Sequence, residues 1–175
     1  MIPLEFEYQA PATLEEAIGL LAGGDEDVKV LAGGHSLIPL MKLRLAAPSL
    51  LVDIRKVPGL KGITRSNGDF KVGALTTHAE VEHSSELGLT AKVAGTIADP
   101  QVRHRGTIGG SIAHSDPASD LPAVALALGA TYVAQGPNGT REIAAADFHT
   151  GFLSSALSAD EMLTEIRVPK MQGAG

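Results

Sequence analysis

Residues 28–54 read VKVLAGGHSLIPLMKLRLAAPSLLVDI, and no other stretch constrains the fold as tightly. VKVLAG is a short β-branched run suited to a buried strand, and it ends on two adjacent glycines, Gly33 and Gly34. In SLIPLMKLRL, Leu37, Leu40, Met41 and Arg44 fall at helical spacing, with Pro39 tolerated in the first turn. SLLVDI at 49–54 then reads as a second strand. Strand, helix, strand is most economically a parallel βαβ unit. A helix over 13–22 precedes it, because Thr13 and Glu16 have capping-box spacing, Leu14, Ala17, Ile18 and Leu21 recur as apolar positions, and Gly23-Gly24 follows as a stop.

The pattern changes near residue 57. LKGITR and DFKVGAL flank Ser66-Asn67-Gly68, and Asn-Gly between two such runs signals a tight antiparallel hairpin. Helical patterns follow at 77–84 and 88–98, then a glycine-rich stretch, then DLPAVALALG as a helix running to Gly129. TYVAQG, PNGT and REI suggest a second hairpin, and EMLTEIRVP closes as a strand. The expected fold class is α+β: a small parallel βαβ lobe, residues 1–56, and a larger lobe with antiparallel sheet and helices, residues 57–175. No internal repeat or low-complexity linker interrupts it.

The glycines have a chemical reading. Where a strand turns into a helix, the first backbone N–H groups have no partner within the chain and point at whatever lies above them, with the positive end of the helix dipole behind. Gly33 and Gly34 remove side chains that would block close approach, and Ser36 adds a hydroxyl that can donate or cap the helix. AGGHS is therefore a candidate diphosphate cradle, although it is neither GxGxxG nor a P-loop, which removes support for ATP hydrolysis. A serine-capped tight turn is the plain alternative.

A second loop repeats the recipe. RGTIGGSIAHSDPASD at 105–120 places Thr107 before Gly109-Gly110 and Ser111, with Ser115, Asp116 and Asp120 beyond. Two donor-rich loops imply a long ligand with several anionic or hydroxylated segments, and the aspartates suit ribose or ribityl hydroxyls. An Asx turn before Pro117 accounts equally well for Asp116, as does a helix N-cap for Asp120.

Composition excludes several classes. Lys and Arg total 14 against 20 Asp and Glu, a net charge of -6, so nucleic acid is not an expected partner. The absence of cysteine rules out disulfides, thiolate zinc sites and an iron–sulfur cluster carried by these residues. No apolar run reaches bilayer length, and the start lacks a secretory layout, so a cytoplasmic location without a transmembrane segment is expected, with the inner face of the membrane as a further possibility. His78 and His83 are five apart and HExxH is absent, so His78, His83, His104 and His149 read as exposed or structural. Arg103 and Arg105 are candidates for pairing with ligand phosphate or with a partner's acidic residues, and Met41 reads as core.

At these motifs the sequence resembles the FAD-binding medium subunits of the molybdenum hydroxylases, with the carbon-monoxide dehydrogenases as its nearest branch. The resemblance runs through MIPLEFEYQAP, LAGGHSLIPLMKLRLAAPSLLVDI, VGALTTHAEV, IADPQVRHRGTIGGSIAHSDPASDLPA and EMLTEIRVP, nearly the whole chain. It implies an FAD-binding fold of the vanillyl-alcohol-oxidase (PCMH-like) class. It implies noncovalent FAD with its diphosphate between Ala32, Gly33, Gly34, His35 and Ser36 on one side and Thr107, Ile108, Gly109, Gly110 and Ser111 on the other. Asp120 would lie toward the ribityl and flavin end, with Asp116 kept as a further cofactor-binding candidate on its own chemistry, and Leu37, Ile38, Ile97 and Leu163 would line the cofactor.

The same resemblance implies partners: a large subunit with the molybdenum cofactor, where substrate is oxidised, and a small subunit with [2Fe–2S] clusters, in a dimer of heterotrimers. The medium subunit would pass electrons from those clusters through FAD to a quinone, oxygen or NAD, with no catalytic side chain of its own. Family members continue into a third, C-terminal lobe, so a chain ending at VPKMQGAG is expected to be a truncated or a minimal subunit. Two other readings stay open: a stand-alone flavin oxidase of the same fold, with FAD linked to His35, and a noncatalytic nucleotide-binding module.

Overall fold

Three parallel strands organise the N-terminal segment. In the computed structural model, which describes residues 2–25, 27–66 and 68–170, the order is β1 (Glu7–Gln9), α1 (Leu14–Ala22), β2 (Val28–Leu31), α2 (Leu37–Lys42) and β3 (Leu50–Asp53). The strand order is β1-β3-β2, with Leu50 paired to Glu7 on one side and Val28 on the other. The βαβ unit thus forms as its pattern requires. β1 had no sequence signal, because EYQ is exposed throughout and acquires its conformation only from the β3 edge.

That edge is pinned by charge. The Tyr8 hydroxyl donates to Asp53 Oδ2 at 2.5 Å, and Arg55 Nε donates to Oδ1 at 2.9 Å. Asp53 is 4% exposed. Burial pushes its carboxyl up, but the hydrogen bonds from Arg55 and Tyr8 outweigh that and hold it at about 2.

α1 starts where expected: Thr13 Oγ1 accepts from the Glu16 amide at 3.2 Å, while Glu16 Oε2 accepts from the Ala12 amide at 2.8 Å, one residue ahead of the usual box partner. The helix buries Ala17, Ile18 and Leu21.

The remaining elements are β4 (Ile63–Ser66), β5 (Asp69–Gly73), α3 (His78–Glu82), a short 3₁₀ turn (Ser85–Leu87), α4 (Leu89–Ala94), α5 (Pro100–Arg103), α6 (Ile108–His114), α7 (Asp120–Ala127), β6 (Thr131–Gly136), β7 (Gly139–Ala144), α8 (Ala145–Phe148), β8 (His149–Gly151), β9 (Ser154–Ser155) and β10 (Met162–Pro169). Five strands form an antiparallel sheet in the order β4-β5-β10-β6-β7. The first hairpin closes with Ser66 opposite Asp69 and Gly68 at φ +92°, while its Asn67 lies outside the described residues. The second closes with Gly136 opposite Gly139. The helical stretch expected over 88–98 ends at Ala94, and α5 starts separately behind an Asp99 cap whose side chain accepts from Val102 N at 2.9 Å.

The last strand takes the middle of the sheet, with Ile166 opposite Val72 of β5 and Tyr132 of β6. Its inward residues Leu163, Ile166 and Val168 join Phe70, Val72, Ile112, Leu121, Tyr132 and Phe148 in the larger core, where Tyr132 and Phe148 meet edge to face at 4.7 Å. Met162, at the same strand's start, packs instead with Ala17, Ile18, Leu21, Val52 and Leu75. Both sheets therefore share residues of β10, which holds them in one frame.

Asp53→Asn keeps the shape but loses the charge that Tyr8 and Arg55 serve. The expected cost is about 2 kcal/mol in urea unfolding at pH 7. Because the native carboxyl is held at about 2 against an ordinary 3.8, its contribution is full above pH 4 and is lost as pH falls through about 2. The gap between variant and wild type should close over that interval.

Candidate functional site

The chain leaves β2 by a loop whose backbone donors have no partners. Ile54 N closes the sheet on Leu31 O at 3.1 Å; beyond it, the amides of Gly33, Gly34, His35 and Ser36 donate no backbone hydrogen bond among the described residues. Gly34 stands at φ +78°, the left-handed region that glycine adopts at little cost. Ser36 precedes α2, but its side chain makes no capping bond, which leaves the hydroxyl available. α2 has only six residues, so the donors of this cradle are loop amides and not a long helix end.

The second loop is constructed differently. Thr107 caps α6 and accepts from Gly110 N at 3.1 Å, Ser111 N donates to Thr107 O at 3.0 Å, and Gly109 N donates to Ala74 O at 3.0 Å. The diglycine lies inside the first turn of the helix, with its amides already engaged. Gly109 is needed for packing: a Cβ there would sit 2.5 Å from the Ala74 Cβ and 2.7 Å from its backbone. The expectation that both turns work alike is corrected on this point. The second loop offers the Ser111 hydroxyl and bare glycine backbone, while the first offers the row of free amides.

The two loops meet. A Cβ on Gly33 would lie 2.2 Å from the Arg105 carbonyl oxygen, and one on Gly110 would lie 3.8 Å from the Ala32 Cβ. Between them opens a cleft of about 470 Å³, walled by Ala32–Leu37 on one side and by Gly106, Thr107 and Gly109–Ser111 on the other. Ile97, Leu157 and Leu163 make part of its lining apolar. The volume falls within the ~300–1,000 Å³ typical of cofactor and small-ligand sites.

Four of the sequence-derived site residues do not line this cleft. Ile38 lies off the wall and is 38% exposed, turned out by the helical phase that follows Leu37. Ile108 is 2% exposed and belongs to the main core, since the first turn of α6 points it inward. Asp116 makes the Asx turn, its Oδ1 accepting from Ala118 N at 2.9 Å. Asp120 opens α7 behind Ser119, which occupies the cap position and lines the cleft in its place.

The cationic candidates separate likewise. Arg103 Nε donates to Glu82 at 2.9 Å and its Nη1 donates to the Ile97 and Ala98 carbonyls at 2.9 and 3.2 Å, so it ties α5 to α3 and is not free for phosphate. Arg105 is exposed, and its carbonyl, not its guanidinium, meets the first loop. Met41 is buried with Leu31 and Leu51, as core.

Three histidines are structural. His83 Nδ1 bonds Ala79 O at 2.5 Å, His104 Nδ1 bonds Pro100 O at 2.7 Å, and His149 Nδ1 pairs with Ser115 Oγ at 2.9 Å. His78 differs: it is 5% exposed and yet lines the cleft. Burial, assisted by the nearby His35, lowers its imidazole to about 4. The sequence carried a signal for this placement in TTHAE, because the Thr77–Glu80 capping box sets His78 as the first residue of a helix. What it could not show is the Thr77–Thr107 bridge that brings that helix start to the second glycine loop.

A parallel sheet and an antiparallel sheet closing on a cleft of unpartnered amides define an α+β module for an elongated anionic ligand. The chain belongs to the family of FAD-binding domains of molybdopterin dehydrogenases, whose sequence profile matches residues 4–171. The carbon monoxide dehydrogenase medium chain of Hydrogenophaga pseudoflava is 47% identical over 180 residues, covering 100% of this chain and 63% of that one. The alpha subunit of the 6-hydroxypseudooxynicotine dehydrogenase complex of Paenarthrobacter nicotinovorans is 43% identical, covering 100% and 61%. A solved carbon monoxide dehydrogenase from Hydrogenophaga pseudoflava superposes with a TM-score of 0.96 at 46% identity, over 98% of this chain and 61% of that one. The chain thus spans about three-fifths of the length of these relatives. FAD is the family's cofactor, and the residues here fit it: free amides for an anion, hydroxyls at Ser36 and Ser111, and an apolar stretch of wall.

Gly109→Ala tests whether the second diglycine serves packing. The added methyl meets the Ala74 backbone, which cannot yield as a flexible side chain would, and a loss of about 2–3 kcal/mol is expected in thermal or urea unfolding.

Proposed function

We propose that the chain is the FAD-holding part of an electron-transfer subunit in a molybdenum hydroxylase, with carbon-monoxide dehydrogenase as the favoured member. The observation that carries this reading is the row of unpartnered amides at residues 33–36, facing Thr107 and Ser111 across a single cleft. An anion of two linked phosphates satisfies several of those donors together, where water would leave them weakly ordered. Noncovalent flavin fits the same picture, with Ala32, Gly33, Gly34, His35, Ser36 and Leu37 on one wall and Thr107, Gly109, Gly110 and Ser111 on the other. Leu163 and Ile97 keep water from the apolar part of the ligand.

The bound flavin supplies redox chemistry that no side chain of this cysteine-free chain can provide. The protein's own contribution is to bind, orient and desolvate. We place the catalytic oxidation in a molybdenum-bearing large subunit and the [2Fe–2S] clusters in a small one, assembled as a dimer of heterotrimers in the cytoplasm, with the inner membrane face as a docking place. Support comes from the 47% identity to a carbon monoxide dehydrogenase medium chain. We also take residues 1–56 and 57–175 as two subdomains that meet at the cleft.

The test is direct. The purified chain should show flavin absorbance bands, and acid precipitation should release the colour to the supernatant. Gly33→Ala forces the loop away from the Arg105 carbonyl and should weaken FAD at least roughly tenfold, about 1.4 kcal/mol. Coexpression with its partners should yield molybdenum and iron in fixed ratio to the chain. A wild-type chain that is colourless and binds no added FAD would end this reading.

A further inference from the structure

His78, which reads from the sequence as exposed or structural, is held at a defined place in the cleft wall. It opens α3, where the Glu80 amide donates to Thr77 Oγ1 at 3.3 Å and the Thr77 amide donates back to Glu80 Oε2 at 2.9 Å. The His78 amide donates to Gly106 O at 3.0 Å. Its ring then lies against the second loop, so closely that a Cβ on Gly106 would sit 2.7 Å from Cδ2 and 2.9 Å from Nε2. Nδ1 is sealed in the interior with no hydrogen-bond partner. Nε2 is not among the sealed atoms, and the residue contributes to the cleft wall together with His35, Ser36 and Thr107.

A neutral imidazole carries one proton, and its position follows from these contacts. On Nδ1 it would be a buried donor without an acceptor, so it belongs on Nε2, the ring nitrogen that is not sealed. An apolar side chain of similar size would fill the same space without stranding a polar atom.

We propose that His78 is an anion-facing residue of the cleft, donating from Nε2 to an oxygen of the diphosphate held by the amides of residues 33–36. This rests on the dinucleotide reading of the cleft. The surrounding charges make the ligand decisive. The nearby carboxylates are already engaged: Glu80 by Lys61 at 3.0 Å, Glu82 by Arg103 at 2.9 Å and Glu161 by Arg141 at 2.7 Å. The bases on the packed elements are Lys29 and His35 on the β2 side, His83 on α3 itself, Lys92 on α4, Arg103, His104 and Arg105 around α5, and His114 on α6. An arriving diphosphate therefore brings the negative charge that the ring lacks in the free chain. Without it, burial and His35 keep the ring neutral down to about pH 4. A second proton would have to sit on the sealed Nδ1, so the ring stays neutral with the ligand bound and meets the diphosphate through its Nε2–H alone.

Titration calorimetry of the full chain with FAD and with ADP at pH 7 should give the affinity of each ligand. The His78 ring nitrogens, followed by ¹⁵N NMR on the wild type, should report a neutral Nε2–H tautomer whose Nε2 resonance shifts on FAD addition. His78→Leu should weaken both ligands roughly tenfold. His78→Gln, whose amide can place a donor near Nε2, should stay within about threefold of wild type. FAD binding to wild type with unmoved His78 resonances, or equal FAD affinity in a folded His78→Leu chain, overturns the proposal while leaving the dinucleotide reading intact. Failure of wild type to bind FAD overturns both.

Discussion

The close approach of two backbones, Gly33 against the Arg105 carbonyl, is the contact on which the site depends. A single Cβ at position 33 would lie 2.2 Å from that oxygen. Glycine there does more than relax the turn, because it lets a loop from the parallel sheet and a loop from the helical half form two walls of one cleft. Gly106 and Gly109 repeat the device on the far side, admitting the His78 ring and the Ala74 backbone respectively. Three positions without side chains thus set the spacing of β2, α3 and α6.

The walls divide their work according to where hydrogen bonds are satisfied. The second loop closes on itself and on the β5–α3 link, which makes it a rigid reference surface. The first loop leaves consecutive amides without partners, and unmet donors beside an apolar lining make a strong case for an anionic ligand with an apolar portion. Two of the three histidines that line the cleft, His35 and His78, fit that division. His35 stands exposed on the donor loop, while His78 is buried behind the rigid one.

Behind the cleft, β10 joins the two halves. As the central strand of the antiparallel sheet it sends Ile166 into the large core and Met162 against α1. Its register slips between Leu163 and Glu165, so the pleat is interrupted just after Leu163, which lies on the cleft wall. The rims are fixed by ion pairs such as Arg141 with Glu161, whose carboxyl is lowered to about 2 by the hydrogen bond from that arginine.

Much of this was legible in the residues themselves. The βαβ unit, the capped α1, both hairpins, the α7 helix and the pair of glycine loops follow from local periodicity and turn chemistry, which act over a few residues and leave a readable pattern. β1 was not legible, since an exposed EYQ has no preference until β3 offers it an edge. Neither was the central place of β10 or the inward turn of Ile108, whereas the Asx turn at Asp116 was one of the two readings its residues allowed. Arg103 was open to pairing with ligand phosphate or with a partner's acidic residues, and what holds it is Glu82, 21 residues away. The sequence determined which segments could become strands, helices and bare turns, because those preferences are local. Only the tertiary structure decided which donors were left without partners and which histidine faced them, because hydrogen-bond satisfaction and burial are settled between residues far apart along the chain.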